Sequence, residues 1–142
     1  MKKFLAILLV LCIAIAFLGC VKPRPTTVVV QNSSDYQLSD IILFFYQGED
    51  QVDQRNIGSL GIGSSSSTIE VSDKVEKVAV SFKFYIGGVY SVRYITVNKY
   101  LLNTHNETVV TIANDTYIKK YSNSKSPEID NTDGTPVEIA AQ

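Results

Sequence analysis

The chain has 142 residues, 45% hydrophobic and 19% charged, with 13 lysines and arginines against 14 aspartates and glutamates for a formal net charge of −1. No basic excess exists to match a phosphate backbone, so nucleic acid is not an expected partner. The first element in chain order is apolar: Lys2 and Lys3 precede an almost unbroken hydrocarbon run from Phe4 to Phe17, and Val21-Lys22-Pro23-Arg24-Pro25 behind it cannot continue a helix. From Phe4 to Leu18 there are 15 residues, whereas a membrane span needs roughly 17 to 25. A cleaved leader therefore fits better than a permanent anchor. Ala14-Ile15-Ala16 offers an A-x-A cleavage site, but that cut would strand Cys20 as a lone thiol near the new N-terminus.

Leu18-Gly19-Cys20, directly after the apolar run, resembles the signal-peptide ending of bacterial lipoproteins. The resemblance implies cleavage between Gly19 and Cys20, a diacylglycerol on the Cys20 sulfur and an acyl chain such as palmitate on the new amino group. Two or three chains hold a protein at a bilayer almost irreversibly, where one does not. Valine at position 21 is similar to the class sorted to the outer membrane, so the expected location is the cell envelope, anchored by lipid to the outer membrane. Cys12 would leave with the leader. Cys20 is then the one remaining cysteine, no disulfide can form within the mature chain, and packing and backbone hydrogen bonds must hold the fold. Losing Lys2 and Lys3 while keeping all 14 acidic residues takes the formal charge to about −3.

Residues 20–25 read as a lipidated cysteine and short linker, 26–121 as one domain, and 122–142, rich in Ser, Asn, Asp, Thr and Pro, as a disordered polar tail. Within the domain the hydrophobic signal has period two. Strands are predicted at Thr26–Gln31 and Asp40–Tyr46, both β-branched or aromatic, then Ser67–Val71, Val78–Ile86, Val89–Val97, Thr108–Ala113 and Thr116–Tyr121. The clearest alternation puts Val78, Val80, Phe82, Phe84 and Ile86 on one face. Gly87-Gly88 then suits a two-residue hairpin turn. Counting back from that turn pairs Ile86 with Val89, Tyr85 with Tyr90, Phe84 with Ser91, Phe82 with Arg93, Val80 with Ile95 and Val78 with Val97. About seven short strands predict an all-β fold, an antiparallel β-sandwich of immunoglobulin-like architecture.

Candidate chemistry is sparse. His105, the sole histidine, lies in the polar stretch Asn103-Thr104-His105-Asn106-Glu107 and reads as a surface turn residue. With one histidine and one mature cysteine, thiolate-rich and multi-histidine metal sites are excluded. Glu49, Asp50 and Asp53 could present three carboxylates to calcium, but they match no defined motif and read as a solvated loop between strands. Gly61 to Ser67 has the composition of a phosphate loop without the helix or lysine such loops need, and reads as an inter-strand loop. No cofactor is implied. Tyr85, Tyr90 and Tyr94 are expected to share the sheet face opposite Phe82 and Phe84, which makes them the candidate partner-binding residues. The expected role is that of a membrane-tethered binding or structural module, not an enzyme, contacting an envelope protein, peptide or glycan. A small carboxylate-dependent hydrolase of the envelope is the alternative.

Overall fold

The computed structural model describes residues 22–121 and 137–141. The expected leader with Gly19 and Cys20, and most of the expected polar tail, lie outside the described residues. No helix among those described is long and apolar enough to cross a membrane.

The elements in order are β1 (Thr26–Ser33), β2 (Gln37–Gln47), β3 (Asp50–Leu60), β4 (Ile69–Val71), β5 (Lys77–Ile86), β6 (Val89–Thr96), β7 (Tyr100–Leu101), β8 (Glu107–Ala113), β9 (Tyr117–Lys120) and β10 (Val137–Glu138), followed by a 3-10 turn at Ile139–Ala141. They form a three-stranded sheet ordered β4-β1-β8 and a larger sheet ordered β10-β9-β6-β5-β2-β3, with β7 also pairing β5. One hydrophobic core joins the sheets: Val28, Val30, Val110 and Ile112 from the smaller face Leu43, Phe45, Val80, Phe82 and Phe84 from the larger. The β-sandwich expected from the alternation is therefore present. It differs in two ways: the described residues hold ten strands, and β1 runs parallel to β8, from Thr27↔Glu107 to Ser33↔Ala113.

The added strands are those with the least hydrophobic signal. Asp50–Leu60, expected as a loop at its acidic start, is an edge strand whose residues are almost all exposed. Backbone pairing to β2, from Gln47↔Asp50 to Leu38↔Leu60, holds it in place. Gly48, with φ of +61°, makes the turn between them. The expectation of a solvated tail through Gln142 also fails at its far end. Val137 pairs with Ile118 and Glu138 with Tyr117, and Ile139 is fully buried in the core.

The β5–β6 hairpin keeps the predicted turn, with Ile86↔Val89 and Tyr85↔Tyr90 in register. Beyond it the ladder reads Lys83↔Arg93, Phe82↔Tyr94 and Ser81↔Ile95. The predicted pairs Phe82 with Arg93 and Val80 with Ile95 are thus one residue out. β6 contains a bulge at Ser91-Val92, and an extra residue in one strand flips the facing of everything after it. Ser91 stabilises the break: its Oγ accepts from the Phe84 N–H at 2.9 Å and donates to the Val92 carbonyl at 2.7 Å.

Candidate functional site

The bulge in β6 has a counterpart across β5. Between Ser39↔Lys83 and Ile42↔Ser81, β2 sets three steps against two of β5, so it carries one extra residue, and β3 is irregular at the same level, around Gly58. Lys83 of β5 therefore sits between two bulges, with a third one strand further out. Bulges concentrate beside functional sites because they re-aim side chains that a regular ladder would hold apart.

Asp40 is the inserted residue in β2. Its φ of +52° is a left-handed conformation that aspartate tolerates better than most residues but that still costs about 1 kcal/mol. Arg93 holds it there. Its Nη1 donates to the Asp40 carbonyl at 2.8 Å and to Ser81 Oγ at 2.9 Å, and its Nη2 donates to the Asp40 carboxylate. Lys83 Nζ reaches the same carboxylate oxygen at 3.3 Å, and Asn56 Nδ2 donates to the other at 3.3 Å. The Arg93 side chain is only 11% exposed, so the guanidinium lies beneath the surface as a fixed counter-charge.

An open pocket of about 300 Å³ lies over this network, lined by Ser39, Asp40, Asn56, Gly58, Ser59, Lys83 and Tyr90. Ser39 is 2% exposed. Among the described residues its Oγ is the buried side-chain polar atom left without a hydrogen-bond partner. Such an orphan costs roughly 1–3 kcal/mol and is uncommon in a finished core.

Beside the pocket the hairpin end is apolar and exposed. Tyr85 is 38% and Tyr90 61% exposed, with ring centroids 4.9 Å apart, and Ile86, Val89 and Val92 are also exposed. Tyr94 does not belong with them. The β6 bulge turns it inward, where it is 8% exposed and packs 5.4 Å from the Phe84 ring. Of the three candidate tyrosines, the fold brings two together on the surface and places the third in the core.

Glu49 lies in the β2–β3 turn, its carboxylate bound by Lys77 at 2.8 Å and Lys99 at 2.7 Å. Those two hydrogen-bonded ammonium groups pull its pKa down to about 2. Asp53 pairs with Arg55 at 3.2 Å, and Asp50 is paired opposite Gln47 at the start of β3. The three carboxylates do not converge, and no cluster of three or more potential metal ligands occurs among the described residues.

His105 sits in its turn with φ of +61°. It is 3.6 Å from Asp73, a carboxylate neighbour the sequence did not suggest, and its Nδ1 lies 3.0 Å from the Arg24 carbonyl. Thr26 completes the group by donating to Asp73 at 2.6 Å and accepting from the His105 backbone N–H at 2.9 Å. Thr26 is buried and its hydroxyl is occupied on both sides, so the group pins Arg24, in the segment ahead of β1, to the domain and offers no nucleophile.

The Asp40 network was missed at the level of sequence, although a signal existed. Core residues fall at Leu38, Ile41, Leu43 and Phe45, so the alternation slips phase by one between Leu38 and Ile41. A slip of that kind marks a bulge.

No protein-family model matches the chain, and no curated protein does. Among solved structures, one described as the sugar binding protein pneumolysin is similar at a TM-score of 0.37 and 14% identity, over 73% of this chain and 24% of that one. The chain thus spans about a quarter of that protein's length.

Proposed function

We propose that this chain is a lipid-tethered envelope protein that acts as a binding module, held at the membrane through Cys20 and binding with the far end of its larger sheet. The tether rests on the leader ending Leu18-Gly19-Cys20. The observation that carries the binding role is the position of the exposed Tyr85–Tyr90 pair relative to the segment ahead of β1. Arg24 and Thr26 bond to His105 and Asp73, just ahead of Lys77, where β5 begins. The hairpin turn lies at the other end of that ten-residue strand, roughly 33 Å away. A tether at one end and exposed tyrosines at the other would present the binding surface away from the bilayer. Tyrosine suits such a surface because it combines a large apolar ring with a polar tip.

The tether is tested by the mass of the N-terminal peptide from native membranes. It should begin at Cys20 and carry acyl chains, and Cys20→Ser should shift the protein to the aqueous phase in detergent partitioning. Unchanged partitioning would remove the anchor from this reading. The binding role is tested by chemical cross-linking in intact cells. Adducts should form from photoreactive groups placed at Val89 and not from groups placed at Glu49.

A further inference from the structure

The geometry points to the pocket beside Asp40 as a saccharide subsite that takes one neutral pyranose ring of an envelope glycan, with Tyr90 as the stacking platform. This assignment rests on the binding-module reading above and names its ligand class.

The size is the first constraint. About 300 Å³ is at the low end for small-molecule pockets and suits a single ring.

Charge is the second. Among the lining residues Asp40 and Lys83 are ion-paired at 3.3 Å. Arg93 lies beneath the surface and is occupied by Asp40 and Ser81. Two cations share the one carboxylate, so a single positive charge is left over beneath the pocket, and what distinguishes a neutral sugar ring from an anion there is stacking on the exposed Tyr90 ring rather than charge.

Hydrogen-bonding character is the third. A sugar hydroxyl both donates and accepts, so its site needs both functions close together. The Asp40 carboxylate has about four acceptor positions, three of them taken by Arg93, Lys83 and Asn56. Lys83 keeps free N–H groups, and Asn56 presents its amide at the pocket wall. These groups are rigidly placed before any ligand arrives, because the Arg93 bonds and the two flanking bulges fix the backbone that carries them. Pre-organisation of this kind reduces the ordering cost of binding. The exposed Tyr90 ring at the rim, backed by Tyr85 at 4.9 Å, supplies the flat apolar surface that the C–H face of a pyranose requires.

The test is saturation-transfer NMR on the full chain, solubilised in a detergent without a sugar headgroup. The probes are neutral oligomers of glucose, galactose, mannose and N-acetylglucosamine, with glucuronate and inorganic phosphate as anionic controls. At least one neutral oligomer should bind saturably. Tyr90→Ala should weaken it about tenfold and Tyr90→Phe should restore it. Asn56→Ala should weaken it severalfold, while Tyr117→Ala, at a distant exposed tyrosine, should leave it unchanged. Thermal unfolding of each variant establishes that the fold persists. The assignment is overturned if no neutral oligomer binds, if phosphate or glucuronate competes equally, or if Tyr90→Ala binds as wild type. Failure here with Val89 cross-links intact would sink the sugar and leave the binding module standing. Sugar binding by a chain whose Cys20 is not acylated would remove the tether and leave the binding role standing.

Discussion

Asn32 illustrates how one polar side chain can organise several loops at once. It is fully buried, its Nδ2 reaches the carbonyls of Tyr36, Leu60 and Gly61 at 2.8 to 3.2 Å, and its Oδ1 accepts from the N–H and Oγ of Ser34. The end of β1, the approach to β2 and the end of β3 thus share one amide. Asn32→Ala would leave several buried groups unsatisfied at once and should destabilise the domain by about 2–4 kcal/mol, read as a fall in the denaturant midpoint at constant slope. Glu49 makes a prediction of a different kind. Its folded pKa of about 2 lies below the ordinary 4.5, so its bridges to Lys77 and Lys99 contribute fully above pH 4.5 and are lost as pH falls towards 2. An NMR titration of the Glu49 carboxyl should have its midpoint near 2. Replacing Lys77 and Lys99 with methionine should bring the midpoint back towards 4.5, and a wild-type midpoint already near 4.5 would refute the double bridge.

At the scale of the element, the bulges decide which residues face outward. A bulge-free β6 would direct Arg93 against Phe82 in the core, which would bury a charge without a partner at a prohibitive cost. With the bulge, Arg93 lies on the outer face against Asp40 and Tyr94 packs inside. Tyr94→Ala should therefore cost about 3–5 kcal/mol, as for an aromatic removed from a core, while Tyr90→Ala should stay within about 0.5 kcal/mol. Equal losses in thermal unfolding would contradict the register. The turn was legible because Gly87-Gly88 is a local signal, and the pairs nearest to it were correct. The shift beyond Tyr85 was not read from alternation, since a single inserted residue leaves both strands looking regular. The misplaced arginine was the available clue. β3 was illegible for the opposite reason: a strand exposed on nearly all its residues has no burial pattern to read, and only its pairing with β2 reveals it.

For the molecule as a whole, the chain end returns to the core. Ile139 is fully buried, its N–H donates to the Thr116 carbonyl at 3.1 Å, and the Ala140 N–H donates to Asn114 O at 2.9 Å. Truncation after Thr135 should accordingly lower stability as much as a core deletion, about 2–5 kcal/mol, and Ile139→Ala should reproduce most of that loss. A truncated protein as stable as the full chain in urea would show the return to be dispensable. A two-residue strand and one buried isoleucine, preceded by a polar stretch, carry too little periodicity to be predicted from sequence. Their place exists only because β9 offers a free edge and the core a gap.

What the sequence determined by itself is what local physics governs: a period-two hydrophobic pattern that makes an all-β sandwich, and a glycine pair that turns a hairpin. What only the tertiary structure decided is which strands pair beyond the turns, where an extra residue is absorbed, and hence that Asp40, Lys83, Asn56 and Ser39 line one pocket with Arg93 beneath it while Tyr94 leaves the surface. These residues come from four strands and are as far as 54 positions apart. Their meeting depends on sheet order and bulge position, which backbone hydrogen bonding across the whole sheet sets and no local stretch of side chains encodes.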